Sequence, residues 1–222
     1  MWEVSNYTKT GERNRMEGLK CQDYVYYMER GDIQIITLAD GTGTDDMASI
    51  GAENACKSLA ELLAEKFEEL YEMDRQLVRY NVITNVQNKL YTIAESYNVG
   101  IEKLHSTLLG IAIDNKTNRF LAVHLGDGNI GVRKKEKITI MSYPENGLNR
   151  YQTYLTSQSG LGEHVRIIRN GVNGIKEFIL MSDGWCEKMT DSSQVIPEEI
   201  FQKTDTCTYK DDVSFIALKR VV

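Results

Sequence analysis

The sequence predicts an α+β domain built from layers of helices and antiparallel sheet. Three observations support this class. Two short runs rich in β-branched and aromatic residues come first, and a long stretch with apolar residues at three- and four-residue spacing follows them. A series of short extended runs, separated by turn residues, then continues to the end of the chain. Strands that precede and follow a block of helices, instead of alternating with helices, are typical of α+β domains.

The first predicted element is a β-hairpin. Residues 24–28 and 33–38 are dominated by β-branched and aromatic side chains, and Arg30-Gly31-Asp32 between them favours a tight turn. Because the connection is short, we expect the two strands to pair directly.

Two long helices follow the hairpin, and we expect them to pack antiparallel because their connection is short. Apolar residues recur on one face from 49 to 71, and Asp74 is placed to cap a second helix that ends before Gly100. We interpret the acidic residues of the first helix, Glu65, Glu68, Glu69 and Glu72, as a solvated face and not as a cation site. The apolar stripe predicted for the second helix is Leu77, Tyr80, Ile83, Val86, Leu90, Ile93 and Tyr97.

The rest of the chain is predicted to be mainly strands. One stretch, residues 142–163, is instead rich in Asn, Gly, Ser, Gln and Tyr, and it reads as a long surface loop of the kind that often carries function. The predicted strands are 107–113, 120–125, 130–133, 138–141, 165–169, 177–181 and 213–218.

Composition limits the possible functions. The chain has 222 residues, and with no internal break in composition we treat 1–222 as a single domain. Its 26 Lys and Arg against 32 Asp and Glu give a net charge of −6, which disfavours nucleic acid as a partner. No secretory leader and no run of roughly 18 apolar residues is visible, so no membrane association is expected. Four cysteines without a CxxC pair fit reduced thiols in a cytoplasmic protein.

Carboxylates recur at the ends of the predicted strands. Strand ends meet at one edge of a sheet, so these carboxylates can converge, and converging carboxylates repel one another unless a cation lies between them. Oxygen ligands select hard divalent ions such as Mg²⁺ or Mn²⁺. Any single Asp-Gly pair is equally well explained as a turn, so the inference depends on the whole set. The set is Asp23, Asp40-Gly41, Asp127-Gly128, Asp183-Gly184 and Asp211-Asp212.

Seven segments, in order along nearly the whole chain, resemble the motifs of one known family. They are Cys21-Gln22-Asp23, 38–43 with 49–52, Ser106-Thr107-Leu108-Leu109, 123–128, 149–156, Ser182-Asp183-Gly184 and Asp211-Asp212-Val213-Ser214. Each segment alone is weakly specific, but seven in this order are specific. The sequence therefore resembles the metal-dependent serine/threonine phosphatases of the type-2C (PPM) family, most closely its compact bacterial branch.

The resemblance implies a four-layer α-β-β-α sandwich, with two antiparallel β-sheets flanked by antiparallel helix pairs. It also implies two Mn²⁺ or Mg²⁺ ions at one edge of the sandwich, with residues 142–163 as a flap-like loop. Carried over by position, Asp40 would bridge both ions, the Gly41 carbonyl would bind one of them, and Asp183 and Asp211 would hold the other. Asp23 would act directly or through metal-bound water, and Asp127 would serve a third, weaker metal site.

The function implied by the resemblance is the hydrolysis of phosphomonoesters by attack of a metal-bridging water or hydroxide, with Asp40 and Asp23 as the catalytic carboxylates. The expected substrate is a phosphorylated protein, and the expected counterpart is a serine/threonine kinase. Two alternatives remain open: a catalytically weak or inactive phosphatase-like module that binds a phosphoprotein or regulatory partner, and an enzyme for small phosphorylated metabolites.

Two positions depart from the family pattern. Many members carry a phosphate-gripping Arg five residues before the first-motif Asp, where this chain has Gly18, so Arg15 or Lys20 is expected to replace it. Thr42 stands where some eukaryotic members place a His proposed as general acid. We interpret His124 as a satisfied histidine near the core and not as a metal ligand.

Overall fold

The protein is built around two antiparallel β-sheets. The computed structural model describes residues 1–43, 46–147, 153–188, 195–196 and 208–221. One sheet has five strands in the order β2-β3-β4-β5-β8, and the other has six in the order β1-β11-β9-β6-β7-β10. The five-stranded sheet consists of β2 (Asp23–Arg30), β3 (Ile33–Asp40), β4 (Leu108–Asp114), β5 (Arg119–Leu125) and β8 (Arg166–Gly171). The six-stranded sheet consists of β1 (Trp2–Lys9), β6 (Asn129–Lys134), β7 (Lys137–Ser142), β9 (Ile175–Met181), β10 (Val195–Ile196) and β11 (Val213–Arg220).

The two sheets pack face to face because alternate residues of their strands are apolar on the inner face. Ile36 and Leu38 of β3 meet Phe178 and Leu180 of β9 in this inner core, and all four side chains are fully buried. Neighbouring residues of the same strands face the other way, so that Ile35 of β3 packs against the helices. The α+β sandwich with two antiparallel sheets is therefore confirmed.

The predicted helix pair covers the outer face of the five-stranded sheet. Helix α2 (Met47–Glu72) packs on β2, β3 and β4, and helix α3 (Arg75–Tyr97) packs on α2. Asp74 caps α3 as predicted, because its side chain accepts a hydrogen bond from the Gln76 N–H at 2.8 Å. On the other side of the link between the two helices, the Arg169 guanidinium donates to the Leu70, Tyr71 and Met73 carbonyls at the end of α2.

The predicted apolar stripe of α3 was wrong in part. Leu77, Tyr80 and Tyr97 are more than half exposed, although Val86 and Leu90 are buried as expected. The buried face follows a row of residues four apart, and all of its members except Leu90 are small or β-branched side chains, which let α2 approach closely. The row is Val78, Val82, Val86, Leu90 and Ala94.

The outer face of the six-stranded sheet carries a third apolar cluster, centred on the buried Trp185. Trp185 follows β9 in the 3₁₀ helix Asp183–Lys188, and its indole N–H donates to the Ser214 carbonyl at 2.9 Å. The second helix pair of the expected four-layer arrangement would cover this face. Between β9 and β11 the structure describes only that 3₁₀ helix, β10 and residues 208–212, so this second pair falls outside the described residues.

The nine predicted strands are present, with ends that differ from the prediction by at most two residues. The sequence pattern missed β1, which pairs with β11 along its whole length and exposes most of its side chains. It also missed the short helix α1 (Glu12–Met16). The acidic face of α2 lies at the surface, where Arg119 contacts Glu68 and Glu72. Within the described part of the chain, every helix is too short or too polar to cross a membrane.

Candidate active site

Four aspartates at separate strand ends, and a fifth, Asp212, beside one of them, line one cleft of about 210 Å³. Asp40 ends β3, Asp127 lies in the turn between β5 and β6, Asp183 follows β9, and Asp211 precedes β11. These strand ends belong to both sheets and meet at one edge of the sandwich. The cleft is also lined by Gly41, Thr42, Gly43, Gln22, Asp212, Arg13 and Asn14.

Asp23 lies next to this cleft and is buried. It is the direct cross-strand partner of Asp40 and is only 6% exposed. Neither of its carboxylate oxygens has a hydrogen-bond partner within the described part of the chain, and the same is true of Asp183 Oδ1. A buried polar atom without a partner costs about 1–3 kcal/mol. The fold therefore keeps these oxygens unpaired at a cost in stability.

Burial and mutual repulsion raise the pKa values of the clustered carboxyl groups. Burial, and then the charge of Asp212, raises the pKa of Asp23 to about 7. Burial, and then the charge of Asp127, raises the pKa of Asp183 to about 6. Burial raises the pKa of Asp40 well above its ordinary range, with further contributions from Asp23 and Asp183. A cation among these groups would reverse the effect, since it favours the ionised forms.

The donor set fits hard divalent ions, although it is not already closed around one. Among residues 1–43, 46–147, 153–188 and 208–221, no three His, Cys, Asp or Glu side chains form a ready metal cage. Apart from Arg13 and the amide side chains of Asn14 and Gln22, the cleft is nevertheless surrounded by carboxylates, backbone and a hydroxyl, which are the oxygen ligands that Mg²⁺ and Mn²⁺ prefer. Among the residues that the structure describes, the buried oxygens Asp23 Oδ1, Asp23 Oδ2 and Asp183 Oδ1 make no hydrogen bond that would explain their burial.

Two hydrogen bonds with Thr107 hold the backbone of Asp40 in place. The Asp40 N–H donates to Thr107 Oγ1 at 3.0 Å, and the Thr107 N–H donates to the Asp40 carbonyl at 2.9 Å. Gly41 must be glycine because of close backbone contact: a Cβ there would lie 2.6 Å from the Ala48 carbonyl oxygen and 2.8 Å from that of Gln22. The Asp-Gly pair is thus fixed from three sides of the chain.

Asp212 has a different role from Asp211, which the sequence did not reveal. Its buried carboxylate accepts from the Gly11 N–H at 2.7 Å, the Asn14 side-chain amide at 2.8 Å and the Gln22 N–H at 2.6 Å. These bonds fasten the segment that contains α1 to the start of β11. They bring Arg13, which was not predicted, to the wall of the cleft.

The two predicted phosphate-binding cations lie elsewhere on that segment. Arg15 and Lys20 are exposed, neither is among the residues that line the cleft, and Arg15 Nε donates to the Gly11 carbonyl at 3.4 Å. Counting five residues back from Asp23 reaches Gly18, which has a φ of +72° in the exposed turn after α1. Arg13, ten residues before Asp23, lines the cleft instead.

His124 is a satisfied buried histidine, in agreement with its interpretation from the sequence. Its Nδ1 lies 2.8 Å from Ser142 Oγ and its Nε2 lies 3.1 Å from the Gly126 carbonyl oxygen. Burial, and then the charge of Arg166, lowers the pKa of His124 to about 3. The ring is therefore neutral at physiological pH and cannot act as a general acid there.

Comparison with known proteins agrees with this fold. A family model described as protein phosphatase 2C matches residues 10–214. The serine/threonine phosphatase PstP/Ppp of Mycobacterium tuberculosis superposes with a TM-score of 0.70 at 16% identity, over 98% of each chain. The S. agalactiae serine/threonine phosphatase gives 0.70 at 16% identity over 100% of each chain. RsbX, solved in complex with magnesium, gives 0.61 at 16% identity over 99% of each chain.

At these identities, the structural matches show a shared fold. A search of curated protein sequences finds no match. The family match covers most of the chain, and the chain accordingly belongs to the protein phosphatase 2C family. The resemblance predicted from the seven sequence segments is confirmed. Of the segment 149–156, residues 149–152 lie outside the described part of the chain.

Proposed function

We propose that this protein is a metal-dependent phosphoprotein phosphatase that hydrolyses phosphoserine and phosphothreonine. The observation that carries the proposal is the convergence of Asp40, Asp127, Asp183 and Asp211 on one cleft, beside the buried, unpaired Asp23. Family membership supports the reaction class. The likeness to serine/threonine phosphatases supports a phosphorylated protein as substrate, with a serine/threonine kinase as the counterpart.

In this proposal, Asp40, the Gly41 carbonyl, Asp183 and Asp211 hold two Mn²⁺ or Mg²⁺ ions, and Asp127 serves a third, weaker site. When bound, the ions neutralise the phosphate and lower the pKa of a water molecule, so that no protein nucleophile is needed. Asp23 completes the negative charge around the ions from its buried position next to Asp40.

The chain itself positions the reacting groups. Thr107 fixes the backbone of Asp40, and the bonds of Asp212 fix the segment that carries Arg13. We propose that Arg13 binds the substrate phosphate, since its guanidinium can donate two parallel hydrogen bonds to phosphate oxygens. Its only described ion pair is a loose one at 3.8 Å with Glu17, and both side chains are largely exposed, so it can turn toward a ligand at little cost.

A second candidate function is a catalytically weak or inactive phosphatase-like module that binds a phosphoprotein or regulatory partner. Two observations favour it: the described residues contain no ready metal cage, and Gly18 stands where many members carry Arg. The unpaired oxygens of Asp23 argue against it, because a module without metal gains nothing from burying them.

Two measurements on the purified protein separate these candidates. For an enzyme, we expect phosphopeptide hydrolysis that requires Mn²⁺ or Mg²⁺, stops with chelator, and falls by about 100-fold or more in Asp40→Asn. Glu136→Gln, which changes an exposed carboxylate on the β6–β7 turn, should keep full activity. Calorimetric titration should show tight Mn²⁺ binding. Absence of both binding and hydrolysis would refute the proposal and favour the second candidate.

A further inference from the structure

A polar cluster lies directly beside the turn that carries Asp127. Its members come from β5, from the end of β7, from both described ends of the loop 142–163, and from the start of β8. We call it the Glu145 cluster, and it consists of His124, Ser142, Glu145, Tyr154, His164 and Arg166.

Glu145 joins the two ends of the loop. One carboxylate oxygen lies 2.9 Å from His164 Nδ1, and the other lies 3.4 Å from Arg166 Nε. The His164 ring in turn stacks on Tyr154, with ring centroids 3.5 Å apart. Side chains of Glu145, His164 and Arg166 are each only about 30% exposed. The Glu145–Arg166 ion pair is therefore less screened by solvent than an ordinary surface pair.

Arg166 extends the cluster inward. Its terminal nitrogen donates to the Tyr143 carbonyl and lies 3.2 Å from Nε2 of the buried His124. Because His124 is neutral, Glu145 supplies the negative charge that faces this guanidinium. Loss of that charge would leave a half-buried cation beside a neutral ring, which is unfavourable.

The cluster reaches the cleft through one backbone carbonyl. Gly126 O accepts the Glu145 N–H at 2.9 Å and faces His124 Nε2 at 3.1 Å. Gly126 has a φ of +105° and immediately precedes Asp127, whose side chain lines the cleft. The position of the loop and the position of Asp127 are thereby fixed by the same hydrogen bonds.

We propose that Glu145 is a positioning residue for the cleft: it fastens both described ends of the loop to the Gly126 carbonyl and so fixes the backbone that carries Asp127. The effect on activity rests on the proposed function. The effect on backbone protection and on metal affinity does not depend on turnover.

The test compares Glu145→Ala with Glu145→Gln and with Glu163→Ala. Glu163 is an exposed carboxylate at the same end of the loop and makes none of the cluster contacts, so its variant is the matched control. In Glu145→Ala, amide hydrogen exchange at residue 145 and at 154–164 should accelerate by about tenfold. The half-saturating Mn²⁺ concentration should rise by about three- to tenfold, while kcat at saturating Mn²⁺ changes by less than about twofold. Glu145→Gln keeps an acceptor for His164 but not the charge, and should give intermediate values.

Unchanged exchange in Glu145→Ala, or an equal change in Glu163→Ala, would overturn the proposal. A fall in kcat without any change in Mn²⁺ dependence would also overturn it, because the effect would then not act through Asp127. Thermal unfolding of each variant checks that the chain remains folded. If Glu145→Ala does not fold, the same measurements are made on Glu145→Gln. If the wild-type protein shows no turnover, the proposed function fails, whereas exchange and calorimetric Mn²⁺ binding still decide the role of Glu145.

Discussion

Replacing Asp23 by Asn should stabilise the metal-free protein at neutral and higher pH. The pKa of Asp23 rises from its ordinary 3.8 to about 7 in the folded chain, first because of burial and then because of the charge of Asp212. The unfolded chain loses this proton near pH 4, but the folded chain keeps it until near pH 7. Folding stability therefore falls as pH rises through this window, and the whole penalty is present above pH 7.

The difference between the two pKa values corresponds to about 4 kcal/mol. Asp40 and Asp183 share the repulsion and take up protons in turn, so removing the charge of Asp23 relieves only part of it. We therefore expect Asp23→Asn to raise the free energy of unfolding by about 2–4 kcal/mol at about pH 8. At about pH 2.5, below both pKa values, the carboxyl group is neutral in the folded and in the unfolded chain, and the two proteins should be equally stable.

The assay is urea unfolding followed by circular dichroism, with chelator present, at about pH 2.5 and about pH 8. Asp212→Asn is the control, because it removes a carboxylate with three N–H donors and should destabilise the protein by about 2–3 kcal/mol. Mn²⁺ at 100 times its Kd should raise the free energy of unfolding of the wild type by about 2.7 kcal/mol. The difference in stability between the wild type and Asp23→Asn should then be smaller. If Asp23→Asn is less stable than the wild type at pH 8 without metal, the repulsion argument is wrong.

Three further results are expected. In steady-state kinetics, Arg13→Ala should raise the KM for a phosphopeptide by about tenfold, whereas Arg15→Ala should leave the KM within about twofold. A larger rise in KM for Arg15→Ala than for Arg13→Ala would instead favour Arg15, which was predicted from the sequence. Arg169→Ala should lower the free energy of unfolding by about 2 kcal/mol in denaturant titrations, since three carbonyls at the end of α2 lose their donor. Binding of Mn²⁺ near pH 6 should release protons, because the pKa values of Asp23 and Asp183 are raised. Calorimetry in buffers of different ionisation enthalpy measures the number of protons released. Equal heats of binding in these buffers would contradict the prediction.

Much of the fold could be predicted from the sequence, because most elements bury one clear face. The strands of both sheets alternate or run apolar, and Asp74 is a visible helix cap. Strand β1 escaped prediction since it lies at a sheet edge and buries few side chains. The stripe of α3 was misplaced because the large apolar residues Leu77 and Tyr80 also occur at helical spacing. The face that packs on α2 consists mainly of smaller residues instead.

The acidic part of the site could be predicted for a similar reason. An Asp that follows an apolar strand is fixed in space by that strand, so position along the sequence translates directly into position at the sheet edge. The position of Arg13 at the wall of the cleft could not be predicted in this way, because α1 and the turn after it separate Arg13 from β2. The roles of Asp211 and Asp212 could not be separated either, since their difference lies in three donors from residues 11–22.

Asp212 and Asp23 differ in the hydrogen bonds that their buried carboxylates receive. Both carboxylates are buried at the same edge of the sandwich. Asp212 receives three N–H donors and fastens the α1 segment, whereas Asp23 receives none from the described residues and faces Asp40 across the strand pair. A carboxylate satisfied by the protein has little left to offer a cation, but an unsatisfied one gains its missing partner only when a cation arrives. We propose that Asp212 serves the structure, whereas Asp23 remains available to a cation.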